Sequence, residues 1–186
     1  MKRMSTALVL GVLALGSAPY AAADPNDPGT SPEVDAAEYT TPDQPGWVFF
    51  RARSEQGTGC GIGPDGTVGC DIFVPRNADG TAIDEGPKGP PGFYACNPPS
   101  GGDYYCPLPP PGANQVVASP LEPAHYLASE TPSFTQDVKA LPEGYRLTNG
   151  DAWCYVSPAS PGGISCRTGA NAFLWSSWGG IIGGLS

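Results

Sequence analysis

The sequence predicts an all-β fold: a small antiparallel sheet or β-ribbon domain stapled by disulfides, with long Gly/Pro-rich loops and little helix. Apolar runs of strand type alternate with turn residues along much of the chain. The 26 glycines and 23 prolines among 186 residues leave no room for long helices. Six cysteines fall into three closely spaced pairs, Cys60/Cys70, Cys96/Cys106 and Cys154/Cys166.

Residues 1–23 have the pattern of a cleavable export signal. Lys2 and Arg3 give a positive start, residues 7–16 are apolar, and Ala23 ends a run of small residues suited to cleavage. The apolar run is about half of the ~20 residues that a membrane-spanning helix needs. We therefore expect cleavage after Ala23, a secreted or envelope-associated mature chain, and no stable membrane insertion.

The formal net charge of −9 limits the classes of partner that the protein can bind. Proteins that bind nucleic acid cluster Lys and Arg against the phosphates, which this acidic chain cannot do. The sequence therefore predicts no nucleic-acid partner and leaves an unknown protein or an envelope glycan as the partner class. No phosphate-binding loop is present, and no cofactor is expected.

Residues 24–46 carry six acidic residues, five prolines and no basic residue. Such a segment buries too little apolar surface to offset its ordering entropy, so we predict a disordered acidic leader. The domain is predicted to span residues 47–178, and residues 179–186 form a flexible Gly-rich tail.

A first hairpin is predicted directly after the apolar strand at residues 47–50. Pro, Asp and Gly at positions 64–66 suit a three-residue loop, because Pro presets a type I turn and Gly takes the left-handed position. If that loop closes between Gly63 and Thr67, the two nearby cysteines fall opposite each other at a non-hydrogen-bonded pair, within disulfide range. The register pairs Ile62 with Val68 and Cys60 with Cys70, and places Ile62, Val68, Cys70, Ile72 and Val74 on one face.

The last third of the chain repeats this arrangement. Pairing Cys154 with Cys166 also sets Val156 opposite Ile164, around a longer Ser/Pro/Gly loop. Nearest-neighbour pairing is one of fifteen possible connectivities for six cysteines, and the two hairpin registers favour it. Shorter elements are predicted as strands at 115–118, 145–147 and 172–175, a turn at 141–144, and a helical turn or two within 133–140.

Residues 75–112 are dense in Gly and Pro, and no strand register can be read there. We interpret the segment as a loop insertion closed at its neck by Cys96 and Cys106. Its tyrosines Tyr94, Tyr104 and Tyr105 could form an exposed contact patch for sugar or protein.

The runs GWVFFR…CGIGPDGTVGCD and LPEGYRLTNGDAWC…GGISCRTG…F resemble uncharacterised exported proteins of mycobacteria and related actinobacteria. The resemblance covers residues 47–74 and 113–175, and the segment with Cys96 and Cys106 looks like an insertion. Members often carry Gly-His-Gly-Phe after the last cysteine, where this chain has Ala-Asn-Ala-Phe at positions 170–173. The resemblance implies the fold and an exported location, and it implies no activity.

No catalytic or metal-ligating set emerges from the sequence. His125 is the only histidine, and no Gly-x-Ser-x-Gly element accompanies it as a serine hydrolase would require. An Asp-rich stretch at 77–85 fails the calcium-loop pattern, because Pro75 and Gly86 occupy the first and twelfth ligand positions.

The sequence therefore favours a non-catalytic binding or interaction module of the envelope or extracellular space. The first alternative is an envelope polysaccharide or peptidoglycan hydrolase that uses paired carboxylates, which need a separation of about 5 to 10 Å. The second is a secreted protease inhibitor that acts through the Cys96–Cys106 loop.

Overall fold

The computed structural model describes residues 29–52, 59–72, 93–95, 105–107, 109–110, 112–130, 133–158 and 163–175. The predicted export signal, the Gly-rich tail, Val74, Cys96 and Tyr104 lie outside these residues. Within them the chain forms a short 3-10 helix and eleven strands. The helix is Ala36–Tyr39, and the strands are β1 (Val48–Arg51), β2 (Gly59–Ile62), β3 (Val68–Asp71), β4 (Phe93–Ala95), β5 (Tyr105–Pro107), β6 (Gln115–Ala118), β7 (His125–Leu127), β8 (Arg146–Asn149), β9 (Ala152–Ser157), β10 (Gly163–Thr168) and β11 (Asn171–Trp175).

The predicted all-β class is confirmed: the strands form two main antiparallel sheets. One sheet has the order β1-β2-β3-β6-β7 and the other has the order β11-β10-β9-β8, while β4 and β5 make a separate two-stranded ladder. The large sheets pack face to face and share one hydrophobic core. Alternation along the strands supplies this core with every second side chain.

Both predicted hairpin registers are confirmed. Cys60 lies opposite Cys70 and Ile62 opposite Val68, while Cys154 lies opposite Cys166 and Val156 opposite Ile164. The first turn closes with the Gly63 amide donating to the Thr67 carbonyl over 2.7 Å. Gly66 takes φ = +82°, the left-handed conformation that the turn requires.

The two described disulfides lie in the core between the sheets. Their Cα–Cα distances are 4.0 Å for Cys60–Cys70 and 4.1 Å for Cys154–Cys166, and all four cysteines are fully buried. Ile72 is buried in the same cluster, so the predicted apolar stripe is found at all of its described positions.

Residues 29–46 differ from the disordered leader that their composition predicts. Tyr39 is 1% exposed within the main core, and its hydroxyl donates to the Ala140 carbonyl over 3.4 Å. The Asp35 carboxylate caps the 3-10 helix by accepting from the Ala37 amide over 3.0 Å. Single bridges connect Glu33 to Arg146 and Thr40 to Val48. One buried aromatic ring and pairing with distant strands order a segment that is otherwise polar.

The prediction of a helical turn within residues 133–140 is wrong. These residues, here called the strap, run across the outer face of the five-stranded sheet without helix. The Arg51 amide donates to the Lys139 carbonyl over 3.3 Å, and the Leu141 amide donates to the Arg51 carbonyl over 3.0 Å. Pairing with the edge of β1 therefore takes the backbone groups that a helix would use.

The insertion contains more regular structure than its sequence predicts. β4 pairs with β5 in antiparallel register, with Tyr94 opposite Cys106 and Ala95 opposite Tyr105. Ladder pairing of three residues a side is too short to leave a readable pattern among the surrounding prolines and glycines.

Candidate functional site

The four cysteines of the two large sheets are structural. Cys60, Cys70, Cys154 and Cys166 are bonded in pairs and have no exposed surface, so no solute reaches their sulfur atoms. Cys106 lies in β5, whereas Cys96 is outside the described residues, so the third bond stays a prediction.

The predicted tyrosine patch is only partly described. Tyr94 and Tyr105 lie on the paired strands β4 and β5, where Tyr94 is opposite Cys106 and Tyr105 is opposite Ala95. Tyr104 lies outside the described residues. The contact patch therefore stays a prediction, and the ladder register is the only structural feature that bears on it.

His125 lies on β7, at the edge of the five-stranded sheet. Its Nδ1 is 3.0 Å from the carbonyl oxygen of Pro123. That oxygen can only accept, so Nδ1 is the donor in this contact. His125 has no serine or cysteine nucleophile among its described contacts.

Most described carboxylates are engaged in the fold. Glu33 pairs with Arg146, Glu38 with Lys139, and Asp137 with Arg51 over 3.5 Å. Asp35 caps the 3-10 helix. These acids hold the N-terminal segment and the strap against the sheets.

Asp71 is the only buried carboxylate in the described part of the chain, with 8% of its surface exposed. Its Oδ2 accepts from the amides of Phe134 and Thr135 over 3.0 and 2.7 Å, and from the Thr135 hydroxyl over 2.7 Å. Its Oδ1 accepts from Gln115 Nε2 over 2.8 Å. All of these donors belong to the protein, so Asp71 fixes the strap to β3 and β6.

The three described tryptophans pack within the fold. Trp47 stacks on Phe49 with ring centroids 5.7 Å apart. Trp153 lies beneath the Arg146 guanidinium at 5.9 Å, and Trp175 is buried in the main core. None of the three lines the surface depression described next.

A depression of about 550 Å³ opens on the outer face of the five-stranded sheet, beside the β6–β7 hairpin. We call it the β7 depression. Leu127, 41% exposed, is its most exposed strand residue, and Val117 and His125 line it on neighbouring strands. The carboxylates of Asp65 and Glu122 line it as well. Its lining is Asp65, Thr67, Val117, Ala118, Ser119, Pro120, Leu121, Glu122, His125 and Leu127.

Residues 119–123 form a tight turn at the rim, here called the Leu121 loop. The amide and carbonyl groups of Ser119 and Glu122 bond reciprocally over 3.0 and 3.3 Å. The Ser119 hydroxyl also accepts from the Leu121 and Glu122 amides, over 3.3 and 3.1 Å. Leu121 at the apex is 92% exposed, the largest exposure among the described large apolar residues. The loop therefore presents an apolar side chain to solvent on an ordered backbone.

Sequence reasoning missed this surface. The available signal was Leu121 between Pro120 and Pro123, which indicates a rigid turn with an apolar apex. The depression itself could not be read from sequence, because Asp65 and Thr67 reach it from the first hairpin and Leu127 from the end of β7.

Within the described ranges, no group of three or more His, Cys, Asp or Glu side chains is arranged to hold a metal ion. The same ranges include no helix of the length and hydropathy needed to cross a membrane. The chain matches no family model, no curated protein and no solved structure. The resemblance to exported actinobacterial proteins thus rests on the quoted residues alone.

Proposed function

We propose that the protein is a non-catalytic binding module that works in the cell envelope or the extracellular space. The observation that carries the proposal is the β7 depression, an apolar-lined surface site beside the fully exposed Leu121. A depression with convergent apolar and polar side chains is a common form of binding site, and exposed apolar residues beside it add surface that a partner can cover.

The two buried disulfides support a location outside the cytoplasm. Both are part of the core, and they stabilise the fold only while they stay oxidised. Cytosolic thiols are kept reduced, whereas exported proteins keep such bonds. The signal-like residues 1–23 agree with this location.

The carboxylates at the depression favour binding over hydrolysis. Asp65 and Glu122 are the two acids that line it among the described residues. Asp65 already accepts from the Thr67 amide and hydroxyl over 2.9 and 3.0 Å, which serves the hairpin turn. Among the described residues, the lining also has no aromatic platform for a sugar ring apart from His125, so a glycosidase finds little support here.

The test uses the mature chain, residues 24–186, with its disulfides formed. The protein is mixed with purified peptidoglycan, envelope polysaccharide and extracellular protein fractions, and both retention and release of soluble fragments are measured. We expect retention by one fraction without fragment release. Release that disappears in Asp65→Asn or Glu122→Gln would overturn the proposal in favour of hydrolysis.

A further inference from the structure

The Leu121 loop holds its apical leucine on a fixed backbone. Asn171, at the start of β11, donates from Nδ2 to the carbonyls of Ser119 and Pro120 over 2.8 and 3.5 Å. On the other side the first hairpin abuts the loop, since a Cβ at Gly66 would lie 2.9 Å from Pro120 Cγ. The loop therefore contacts both sheets, and a partner that covers Leu121 has little backbone to order.

The apolar lining of the β7 depression becomes more exposed toward this loop. Val117 is 9% exposed, Leu127 is 41% exposed and Leu121 is 92% exposed. The depression, at about 550 Å³, has room for a long side chain and for part of its neighbours. Removing such apolar surface from water is the main favourable contribution to protein association. An aliphatic chain is therefore a suitable occupant of the depression.

The polar part of the lining is acidic. The Glu122 carboxylate has no hydrogen-bond or ion-pair partner among the described residues. Asp65 accepts from Thr67 with both of its oxygens, and each of them keeps a further lone pair. Among the described residues, no Lys or Arg lines the depression. The net charge of −9 adds to the attraction for a cation.

His125 adds an oriented ring to the lining. Its Nδ1 donates to the Pro123 carbonyl over 3.0 Å, which fixes the plane of the imidazole. A guanidinium group stacks on aromatic rings, is less strongly hydrated than an ammonium group, and presents several N–H donors in one plane. Arginine therefore fits this lining better than lysine.

We infer that the β7 depression binds an arginine side chain of a partner protein, and that apolar residues beside this arginine cover Leu121. The methylene groups of the arginine pack on Val117 and Leu127, as long basic side chains do on apolar surface. The guanidinium donates to the carboxylates of Glu122 and Asp65. This inference rests on the proposed binding function and names its site and partner chemistry.

Two other occupants fit this site less well. A small cationic solute would fill the depression but leave Leu121 in water. A second copy of the chain would bring a second pair of acids against Asp65 and Glu122, and two chains of net charge −9 repel.

The test measures the binding of short peptides to the mature, oxidised chain by NMR. The probe is the capped tripeptide Leu-Arg-Leu. One control replaces its arginine by citrulline, the neutral group of nearly the same shape, and another replaces it by lysine. Capped arginine alone represents a small cation. Binding is followed by the chemical shifts of the backbone amides of Thr67, Leu121 and Leu127.

The test variants are Leu121→Ser and Glu122→Gln. Both side chains are exposed and neither has a bonding partner among the described residues, so the fold does not depend on them. The matched controls are Tyr145→Ser and Glu130→Gln, which replace an exposed apolar residue and an exposed acid away from the depression. Thermal unfolding checks that every variant is folded.

We expect Leu-Arg-Leu to shift these amides saturably, and the citrulline peptide to bind about tenfold more weakly. The lysine peptide and arginine alone should also bind more weakly than the probe. Leu121→Ser and Glu122→Gln should each weaken binding of the probe severalfold, whereas the two control variants should bind it like wild type. High salt should weaken binding as well, because the carboxylates are exposed to solvent.

Equal binding of the citrulline or lysine peptide would overturn the assignment of the site to arginine, and unchanged binding in both test variants would overturn the site itself. Arginine alone binding as tightly as the tripeptide would assign the depression to a small cation and overturn the protein partner. A dimer in sedimentation that Leu121→Ser dissociates would also overturn it. If no peptide binds while envelope material still retains the protein, the inference falls and the proposed function stands; fragment release overturns the function itself.

Discussion

Asp71 shows how one side chain fixes the position of a distant segment. Its carboxylate gathers donors from Gln115 on β6 and from Phe134 and Thr135 on the strap. The strap has no helix or sheet of its own to satisfy these amides. The Asp71 carboxylate accepts hydrogen bonds from these amides in place of helix or sheet carbonyls. Hydrogen bonds to a charged group are stronger than those to a neutral one.

Asp71→Asn should therefore destabilise the protein by about 3 kcal/mol. The amide keeps one acceptor oxygen but turns an NH₂ group toward donors, which leaves at least one buried donor unsatisfied. Urea unfolding followed by tryptophan fluorescence measures the loss. Asp137→Asn is the control, because its side chain is fully exposed and its pair with Arg51 should contribute less than about 1 kcal/mol. Equal effects of the two substitutions would show that Asp71 does not anchor the strap.

Tyr126 gives the protein a pH dependence in the alkaline range. Burial raises the pKa of its hydroxyl above the ordinary value of 10.0. The unfolded chain therefore loses this proton at a lower pH than the folded chain. Stability from this group is complete below pH 10.0 and falls as the pH rises through the folded-state pKa. Burial raises the pKa of Tyr39 as well, with the same sign.

We expect the free energy of unfolding to fall as the pH rises above about 10, and Tyr126→Phe to make that fall shallower. Urea unfolding at several pH values provides the slope for both proteins. An identical slope in Tyr126→Phe would contradict the assignment of this titration to Tyr126.

At the scale of elements, glycines make one sheet face flat enough for the strap to lie on. Gly61 and Gly69 are paired on β2 and β3, and Phe134 from the strap packs against them. A Cβ at Gly69 would lie 2.6 Å from Phe134 Cε2, closer than real contacts allow. Phe49, Val117 and Phe134 form the small second core on this face.

Gly69→Ala should cost about 1 to 3 kcal/mol by pushing Phe134 off the sheet. In a Phe134→Ala background the same substitution should cost much less, because the ring that it would meet is gone. The double-mutant cycle isolates this coupling, measured as free energies of unfolding in urea. Additive losses would mean that Gly69 is needed for a reason other than contact with Phe134.

The elements that sequence reasoning predicted are those with local causes. The first hairpin follows from the Pro-Asp-Gly turn at 64–66 and from apolar alternation on both sides of it, all within a dozen residues. The strap packs on Gly69, and the ordered segment at 29–46 bonds to Ala140 through Tyr39; both partners are distant in the chain. Local composition contains no information about such partners, so it predicted a helical turn for the strap and disorder for residues 29–46.

At the scale of the whole molecule, the order of strands was beyond reach from sequence, because β3 pairs with β6 across the insertion. The β7 depression depends on that pairing, so it could not be predicted either.

Each described disulfide joins two neighbouring strands within its own sheet: Cys60–Cys70 in the five-stranded sheet and Cys154–Cys166 in the four-stranded sheet. Neither bond links the two sheets. Core packing holds the sheets together, aided by Asn149, whose Nδ2 donates to the carbonyls of Gly46 and Ile62 over 2.8 and 3.0 Å.

Each disulfide should therefore stabilise mainly by restricting the unfolded chain. Loops with sequence separations of 10 and 12 predict about 2.5 to 3 kcal/mol for each bond in the chain-entropy model. Replacing either pair by Ala should cost roughly this amount plus the lost sulfur packing, and replacing both should cost nearly the sum. That sum approaches the total stability of many small domains, about 5 to 15 kcal/mol. Urea unfolding of the two double variants and the quadruple variant measures all three losses. A quadruple variant as stable as either double variant would show that the bonds act on the same step of unfolding and that the two sheets do not contribute independently.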